Sequence, residues 1–517
     1  MKMVKSLLLG SAAGFVAVAG AQAADLPVKA KPVEYVKVCS LYGAGYYYIP
    51  GTDICMKVGG YVRAEWSYNY ADNMTTGPFV STSMQMTRIN GTRDVVWRNR
   101  AYITTETRQQ TAYGTLRTYL AVGLNGNNST DFSANRAFIQ IAGFTAGLAS
   151  SYFDHYSVAA IAYLVDQSSD TGDGGQRVFA YTAQLGNGVS VTLSAEDSEA
   201  KRAGVWNASI VSRAVIGTAG GGTAVVTSTG PTLGIAGTAQ AIQDQRKSIT
   251  PDIVANIRID QAWGSAQVMG ALHEVSGGYY GTTLNGSQNN GHPGNQWGWA
   301  VGGGLKVNLP MIAPGDYIAA QVAYAEGASR YISNTNGASG AAMFDGGSSV
   351  GYGFWSDGVF RGTSATAATA TDVQLTTAWG VAGGWEHFWT PSLRTSVHGS
   401  YVEVRYNALA NRILCAAPGT NTGPNTLNFS GLVGGSGLAT CNNNWSMWQI
   451  GSRTQWNVTK DFYMGFDVVY YHLNTASEGA RALYTQLAGG AQPTGIRTLE
   501  DQDIVAARVR WHRDIAP

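Results

Sequence analysis

Two-residue alternation dominates the chain. From Met56 to Tyr70 the even positions Met56, Val58, Gly60, Val62, Ala64, Trp66, Tyr68 and Tyr70 are apolar, small or aromatic. The odd positions Lys57, Tyr61, Arg63, Glu65, Ser67 and Asn69 are polar or carry a polar tip. Successive side chains of a strand point to opposite faces, so the pattern predicts a strand with one apolar face and one charged face. The apolar face ends in Trp66, Tyr68 and Tyr70, and amphipathic rings at a strand end suit a membrane-water interface.

The same period recurs along the chain. It predicts strands over Arg100–Arg108, Thr115–Leu124, Asn135–Gly143, Thr145–Ser151, Val178–Leu185 and Val189–Glu196. The turn at Gly186-Asn187-Gly188 uses residues that tolerate positive φ. Asp197 to Asp252, rich in Gly, Thr and Ala, has no sustained period and reads as a long surface loop. Further strands are predicted over Ile253–Asp260, Ser265–Glu274, Trp297–Asn308, Asp316–Ala325, Asp372–His387 and Ser392–Val404. Trp445–Trp456, Phe462–Leu473 and Asp503–Arg513 complete the set. With the opening run this makes sixteen strands, joined by seven short turns and eight long loops. Transmembrane barrels of the outer-membrane type have an even strand number, short turns on one side and long loops on the other, whereas a soluble sandwich or propeller has no reason to segregate loop lengths. The expected fold is therefore all-β, a 16-stranded antiparallel transmembrane β-barrel wide enough for a water-filled lumen.

Composition agrees. Charged residues make up 13%, while Gly at 66 and Tyr at 27 are abundant. Lys2 and Lys5 precede an apolar run from Leu7 to Ala19, and Ala21-Gln22-Ala23 offers a small-residue cleavage site, so residues 1–23 read as a signal peptide. Its removal takes the formal charge from +1 to −1 and leaves no basic excess for nucleic acid. Residues 24–55 read as an extended, cysteine-containing N-terminal segment and 56–517 as the barrel. Cys39, Cys55, Cys415 and Cys441 belong to an exported chain and could form two disulfides. Local pairing is preferred, because each pair encloses a Gly-, Pro- or Asn-rich segment outside any strand. Neither pair has Cys or His companions at zinc-site spacing, and no metal or cofactor is called for.

Four stretches resemble the general porins of alphaproteobacteria: Cys39-Ser40-Leu41-Tyr42-Gly43-Ala44-Gly45 with Ile49-Pro50-Gly51-Thr52-Asp53 and Gly59-Gly60-Tyr61-Val62-Arg63; Thr111 to Arg117; Arg136-Ala137-Phe138-Ile139-Gln140; and Trp389-Thr390-Pro391-Ser392-Leu393-Arg394. The resemblance implies a homotrimer of barrels that passes small hydrophilic solutes and ions through the outer membrane, and no enzyme. It also implies that the loop after the fifth strand, Tyr152 to Gln176, folds into the pore. Such barrels usually end on a terminal aromatic residue, whereas this chain runs past Trp511 to Pro517.

A channel needs no nucleophile, only a hydrated constriction whose charges sort solutes. Arg63, Arg100, Arg108, Arg117 and Arg136 fall on the polar strand faces and would line the wall. Asp154, Asp166, Asp170 and Asp173 sit in the pore-folding loop, so that a basic wall would face an acidic loop across the lumen, where low-dielectric walls focus the field. The alternatives are a substrate-specific channel and an outer-membrane hydrolase. For the last, His155 beside Asp154 is the only cue, without a Gly-x-Ser-x-Gly motif.

Overall fold

A computed structural model describes residues 37–69, 95–126, 130–155, 161–164, 169–172, 175–209, 213–217, 223–227, 244–246, 249–281, 287–333, 340–343, 349–415, 442–479, 481–484 and 495–516. Residues 1–23, expected to be a signal peptide, lie outside them, as do Asp166, Asp173, Cys441 and the side chain of Cys415.

Sixteen strands make the barrel. They are β1 (Cys55–Tyr68), β2 (Val95–Thr111), β3 (Gly114–Gly126), β4 (Thr130–Ile141), β5 (Phe144–Ala149), β6 (Gln176–Gly186), β7 (Val189–Glu196) and β8 (Asp252–Gln261). The second half comprises β9 (Gly264–Val275), β10 (Gln296–Asn308), β11 (Tyr317–Glu326), β12 (Thr377–Phe388), β13 (Leu393–Arg405), β14 (Trp445–Asn457), β15 (Phe462–Asn474) and β16 (Gln502–Ala516). Each pairs with the next, and β16 pairs antiparallel with β1, which closes the sheet. Closure satisfies every strand edge, the condition for a sheet to stand in hydrocarbon.

Side-chain parity is as the alternation predicts. In β1, Val62 and Tyr68 are exposed on the outer face while Glu65 and Ser67 are buried on the inner one. Ile103, Phe132, Ile139, Leu193, Ile257, Val268, Val301, Ile450 and Trp511 continue the apolar outer surface around the wall. A band this large makes sense only against lipid. Two of the short turns show the local chemistry. Asn187 and Gly188 both take positive φ, 52° and 76°, which matches the twist of a two-residue hairpin. Ala142 and Gly143 do the same.

Several boundaries differ from the sequence reading. β2 starts at Val95, before the expected Arg100, and so includes Arg98. β5 stops at Ala149 because Ser151 and Tyr152 leave the sheet to bond Glu196. The expected strand Asp372–His387 is interrupted: Gln374–Leu375 joins a small sheet with Gly358–Phe360 and Val205–Asn207, and only Thr377 onward belongs to the barrel. The stretch from Asp197 to Asp252 is not wholly irregular, since it contributes Val205–Asn207 and a paired hairpin, Arg213–Gly217 with Thr223–Thr227.

The long loops do not merely cover the outer end. Trp206, Tyr331 and Trp355 from the loops are buried in one apolar cluster with inward-facing strand residues such as Val254, Val402 and Tyr471. Helix α1 (Ala408–Cys415) adds Ala410, Ile413 and Leu414, and Asn407 caps its first turn by accepting the Ala410 N–H at 2.8 Å.

The described residues 37–56 belong to a separate compact unit. Within it Cys39 is disulfide-bonded to Cys55, with the Cα atoms 5.9 Å apart, and Tyr47–Tyr48 pairs with Cys55 and Met56.

Candidate functional site

The loop after β5 lies along the inner wall. Ser151 Oγ and the Tyr152 N–H donate to the two oxygens of Glu196 on β7 at 2.8 and 2.9 Å. The Tyr152 carbonyl accepts from Asn256 on β8 at 2.6 Å and Gln267 on β9 at 3.3 Å. The His155 N–H reaches Gln321 on β11 at 3.0 Å, and Ser396 on β13 donates to the Ile161 carbonyl at 2.5 Å. At the far end the N–H groups of Tyr163 and Leu164 both donate to Asp467 Oδ2 on β15, at 2.5 and 3.1 Å. Tyr163 Oη donates to Gln455 on β14 at 2.8 Å, and Arg508 on β16 donates to the Tyr163 carbonyl. Gln321 donates to the Ser169 carbonyl on the return limb.

Glycines in the wall make this course possible. A Cβ on Gly304 would stand 2.7 Å from the His155 ring, and one on Gly384 would stand 2.6 Å from Ile161. A Cβ on Gly465 would collide with Tyr163. Each of these glycines faces inward, so their side-chain-free surface is the bed on which the loop rests.

The loop therefore contacts β7 to β16, and the arginines expected to line the pore stand on the sector left over. Arg63 is on β1, Arg100 and Arg108 on β2, Arg117 on β3 and Arg136 on β4. An extra residue in β4, Asn135, breaks the register against β3, and Arg136 donates to the Asn135 carbonyl at 2.6 Å and to Ser150 Oγ at 3.1 Å. Arg108 and Arg117 share Glu106 Oε1, at 2.8 and 2.7 Å from their Nε atoms. Arg98 and Arg100 converge on Asn125 Oδ1 at 2.9 and 3.0 Å. Arg63 donates to His512 Nδ1 at 3.1 Å.

The loop acids are placed differently. Asp154 closes the loop neck, accepting the N–H and hydroxyl of Thr171 at 2.8 and 2.5 Å. Asp170 is buried and accepts the Gly172 N–H at 2.8 Å. His155 meets Ser265 Oγ at 3.3 Å. Burial lowers its pKa to about 4, helped by Arg258 and opposed by Asp260. Burial raises the Tyr163 hydroxyl in turn.

The alternation singled out five arginines, but the wall holds more charge. Glu65 accepts from Arg510 Nε at 2.6 Å and lies 3.7 Å from Arg98, while Arg508 Nε donates to Ser67 Oγ at 2.8 Å. Arg508, Arg510 and His512 share one parity in β16, which was the signal available for them. Arg453 pairs with Glu386 on the wall covered by the loop. A cavity of about 490 Å³ lies between the loop root and the sector from β3 to β9; Arg117, Tyr119, Arg136, Phe138, Asp154 and Arg258 are among its lining residues.

A closed sixteen-stranded barrel with an apolar outer band, short turns at one end and an inward-folded loop is an outer-membrane channel-type barrel. Residues 25–507 match the family described as Porin subfamily, and the chain belongs to that family. Porin Omp2b of Brucella melitensis biotype 1 is 32% identical over 332 residues, covering 60% of this chain and 82% of that one. Porin Omp2a of Brucella ovis is 36% identical over 218 residues, covering 37% of this chain and 59% of that one. The chain spans about half the length of several such relatives. Among solved structures, the outer membrane channel DcaP of Acinetobacter baumannii aligns over 90% of this chain and 99% of its own, at 11% identity and a TM-score of 0.50, a likeness of fold. By family and fold the chain is a porin-family barrel.

Proposed function

We propose that the chain is a passive-diffusion channel for small hydrophilic solutes and ions, without enzymatic activity, working as a homotrimer in outer-membrane lipid after loss of residues 1–23. The observation that carries this reading is the loop docked on β7 to β16, which leaves a charged, polar sector of wall from β1 to β6 as the boundary of an open path. In this reading Arg63, Arg100, Arg108, Arg117 and Arg136 form the basic side of the constriction, and Asp154, Asp166, Asp170 and Asp173 supply the acidic side. The trimer follows from the family resemblance. Asp154 serves the loop neck and His155 faces Ser265, an arrangement that supports a loop-holding part for both in place of chemistry.

The test is single-channel conductance of the refolded chain in a planar bilayer, beside a variant lacking residues 156–168. The barrel should persist, because its walls close through backbone hydrogen bonds, and conductance should rise. Equal conductance in the two proteins, or no conductance from folded protein, would overturn the reading. Native electrophoresis tests the trimer.

A further inference from the structure

We propose that the lipid-facing wall at the short-turn end of β11 to β14 holds the phosphate of one phospholipid headgroup, with His387 at the centre of the site. The site lies on the outside of the barrel and is independent of what passes through the lumen.

Parity places it there. In β12, Ala378, Ala382 and Glu386 are buried on the inner face while Val381 and Trp385 are exposed outside, so His387 falls on the lipid-facing side close to the strand's end. Register sets His387 opposite Thr395 on β13, and Thr395 opposite Thr454 on β14. Three polar side chains therefore stand in one row across strands about 4.8 Å apart. Apolar neighbours such as Val397, Ile450 and Phe466 surround them on the same outer face. Trp385, Trp389 and Trp456, all exposed, frame the row. Tryptophan gathers where hydrocarbon gives way to headgroups, which puts the row at the depth of lipid phosphates.

The donors of the row are already oriented. Asp316, buried just before β11, meets His387 Nδ1 at 2.7 Å and accepts the Phe388 N–H at 2.8 Å. Tying the end of β12 to Asp316 uses Nδ1 alone. Nε2, on the other side of the ring, has no hydrogen-bond partner among the described residues. Trp385 and Trp389 hold the imidazole between them, with centroids 5.4 and 4.4 Å from its own. An imidazolium fixed in this way donates from both nitrogens, to Asp316 and outward. Along the row, the Trp389 indole N–H donates to Thr395 Oγ1 at 3.0 Å, and the Thr395 and Thr454 hydroxyls meet at 3.1 Å. Two hydroxyls that share one hydrogen bond keep one O–H free to donate outward.

A phosphodiester fits this arrangement. Its oxygens accept several hydrogen bonds at once, and its charge matches an imidazolium. Glycerol and acyl chains would continue over Trp385, Val397 and Ile450 along the apolar wall. Ionisable side chains at a lipid-facing position are costly and mark functional sites, so an outward nitrogen at this depth calls for an acceptor. Inorganic phosphate offers the same oxygens, but the tryptophan frame and the continuity with the apolar wall select the lipid.

The experiment titrates the full-length chain in detergent with phosphatidylglycerol and counts bound lipid by native mass spectrometry, with circular dichroism to verify the fold. One lipid per barrel should be retained. His387→Gln should weaken its binding on the order of 10-fold, the loss of one charge-assisted hydrogen bond, and Thr454→Val should weaken it severalfold. Diacylglycerol, which lacks the phosphate, should not be retained, and excess inorganic phosphate should not displace the phospholipid. Folded His387→Gln with the parent's affinity, equal retention of diacylglycerol, or displacement by inorganic phosphate overturns the proposal. So does a His387→Gln variant that breaks up the assembly while binding no less lipid, which would make this face a contact between copies of the chain. If His387→Gln does not fold, Thr454→Val decides alone, and the parent's affinity in that variant overturns the site.

Discussion

The Tyr163 ring of the inward-folded loop lies 3.9 Å from the guanidinium carbon of Arg510, on the last strand of the barrel. This contact joins residues 347 positions apart. Its surroundings make it a latch. Asp467 takes two backbone N–H groups of the loop tip, and Gln455 takes the Tyr163 hydroxyl.

Asp467→Ala should release the tip. Asp467 is fully buried, and its loss leaves two loop N–H groups without their acceptor, at about 1–3 kcal/mol each. The barrel wall keeps its ladder, so thermal unfolding should change little while single-channel current becomes noisier and larger. A quiet trace with the unaltered conductance would show that the tip is held by something else.

Parity in the wall gives a sharper test of membrane placement. Leu193 is 60% exposed on the outer face, whereas its neighbour Thr192 is 3% exposed and bonds Thr182 at 2.9 Å inside the lumen. Arg at position 193 should cost ~2–4 kcal/mol in a bilayer, and Arg at 192, beside the cavity, should be tolerated. Refolding titrations in vesicles measure both. Equal costs would contradict this register.

How far such details were legible depended on whether they repeat. Alternation is a local property, and it located all sixteen strands and the side of the wall on which Arg63 and Arg136 stand. Strand ends follow tertiary demands instead: β5 ends where Glu196 draws Ser151 away, and Arg98 was missed because Val95 and Val96 interrupt the period at the start of β2. Charge partners such as Glu65 and Arg510, 445 residues apart, meet only through barrel closure. The aspartates illustrate the remaining gap. Composition marked the loop as acidic, but nothing local showed that Asp154 would bind Thr171.

The loop should also respond to acid. His155 has its pKa lowered from 6.5 to about 4 by burial, so the docked loop resists a proton that the undocked loop accepts. Above the ordinary value His155 is neutral in both forms and contributes no pH dependence. As pH falls from 6.5 towards about 4 the undocked form gains the proton and docking weakens. Protection of residues 152–155 from hydrogen exchange, taken relative to each amide's intrinsic rate at the same pH, should therefore fall across this window and stay level in His155→Gln. Protection that is flat in the parent protein would mean that the ring titrates alike in both forms.

The N-terminal unit offers a separate test. Cys39 and Cys55 are 16 residues apart, and closing a loop of that size stabilises by ~3 kcal/mol in the chain-entropy account. Cys39→Ser should make residues 40–54 far more sensitive to protease while the β-sheet signal of the barrel is retained. Unchanged cleavage would assign the unit's stability to its apolar contacts among Tyr42, Tyr46 and Tyr48.

The apolar filling of the outer half makes the boldest mechanical claim, because a channel wall there is built from loop core. Trp206 is 1% exposed, and it belongs to the cluster that unites Tyr331 and Trp355 from the loops with Val254 and Val402 from the strands. Truncating such a ring leaves a cavity and costs about 3–5 kcal/mol. The strands do not depend on it, since their hydrogen bonds run from neighbour to neighbour around the barrel. Trp206→Ala should thus loosen the loops selectively. Proteolysis from outside intact vesicles should cut between 197 and 252 sooner, and conductance should rise as the outer mouth widens, with the heat stability of the barrel nearly unchanged. Trp206→Phe, which refills most of the volume, should restore resistance to protease. If Trp206→Ala instead unfolds the sheet together with the loops, the outer core is part of the barrel's own stability and the two cannot be treated as separable layers.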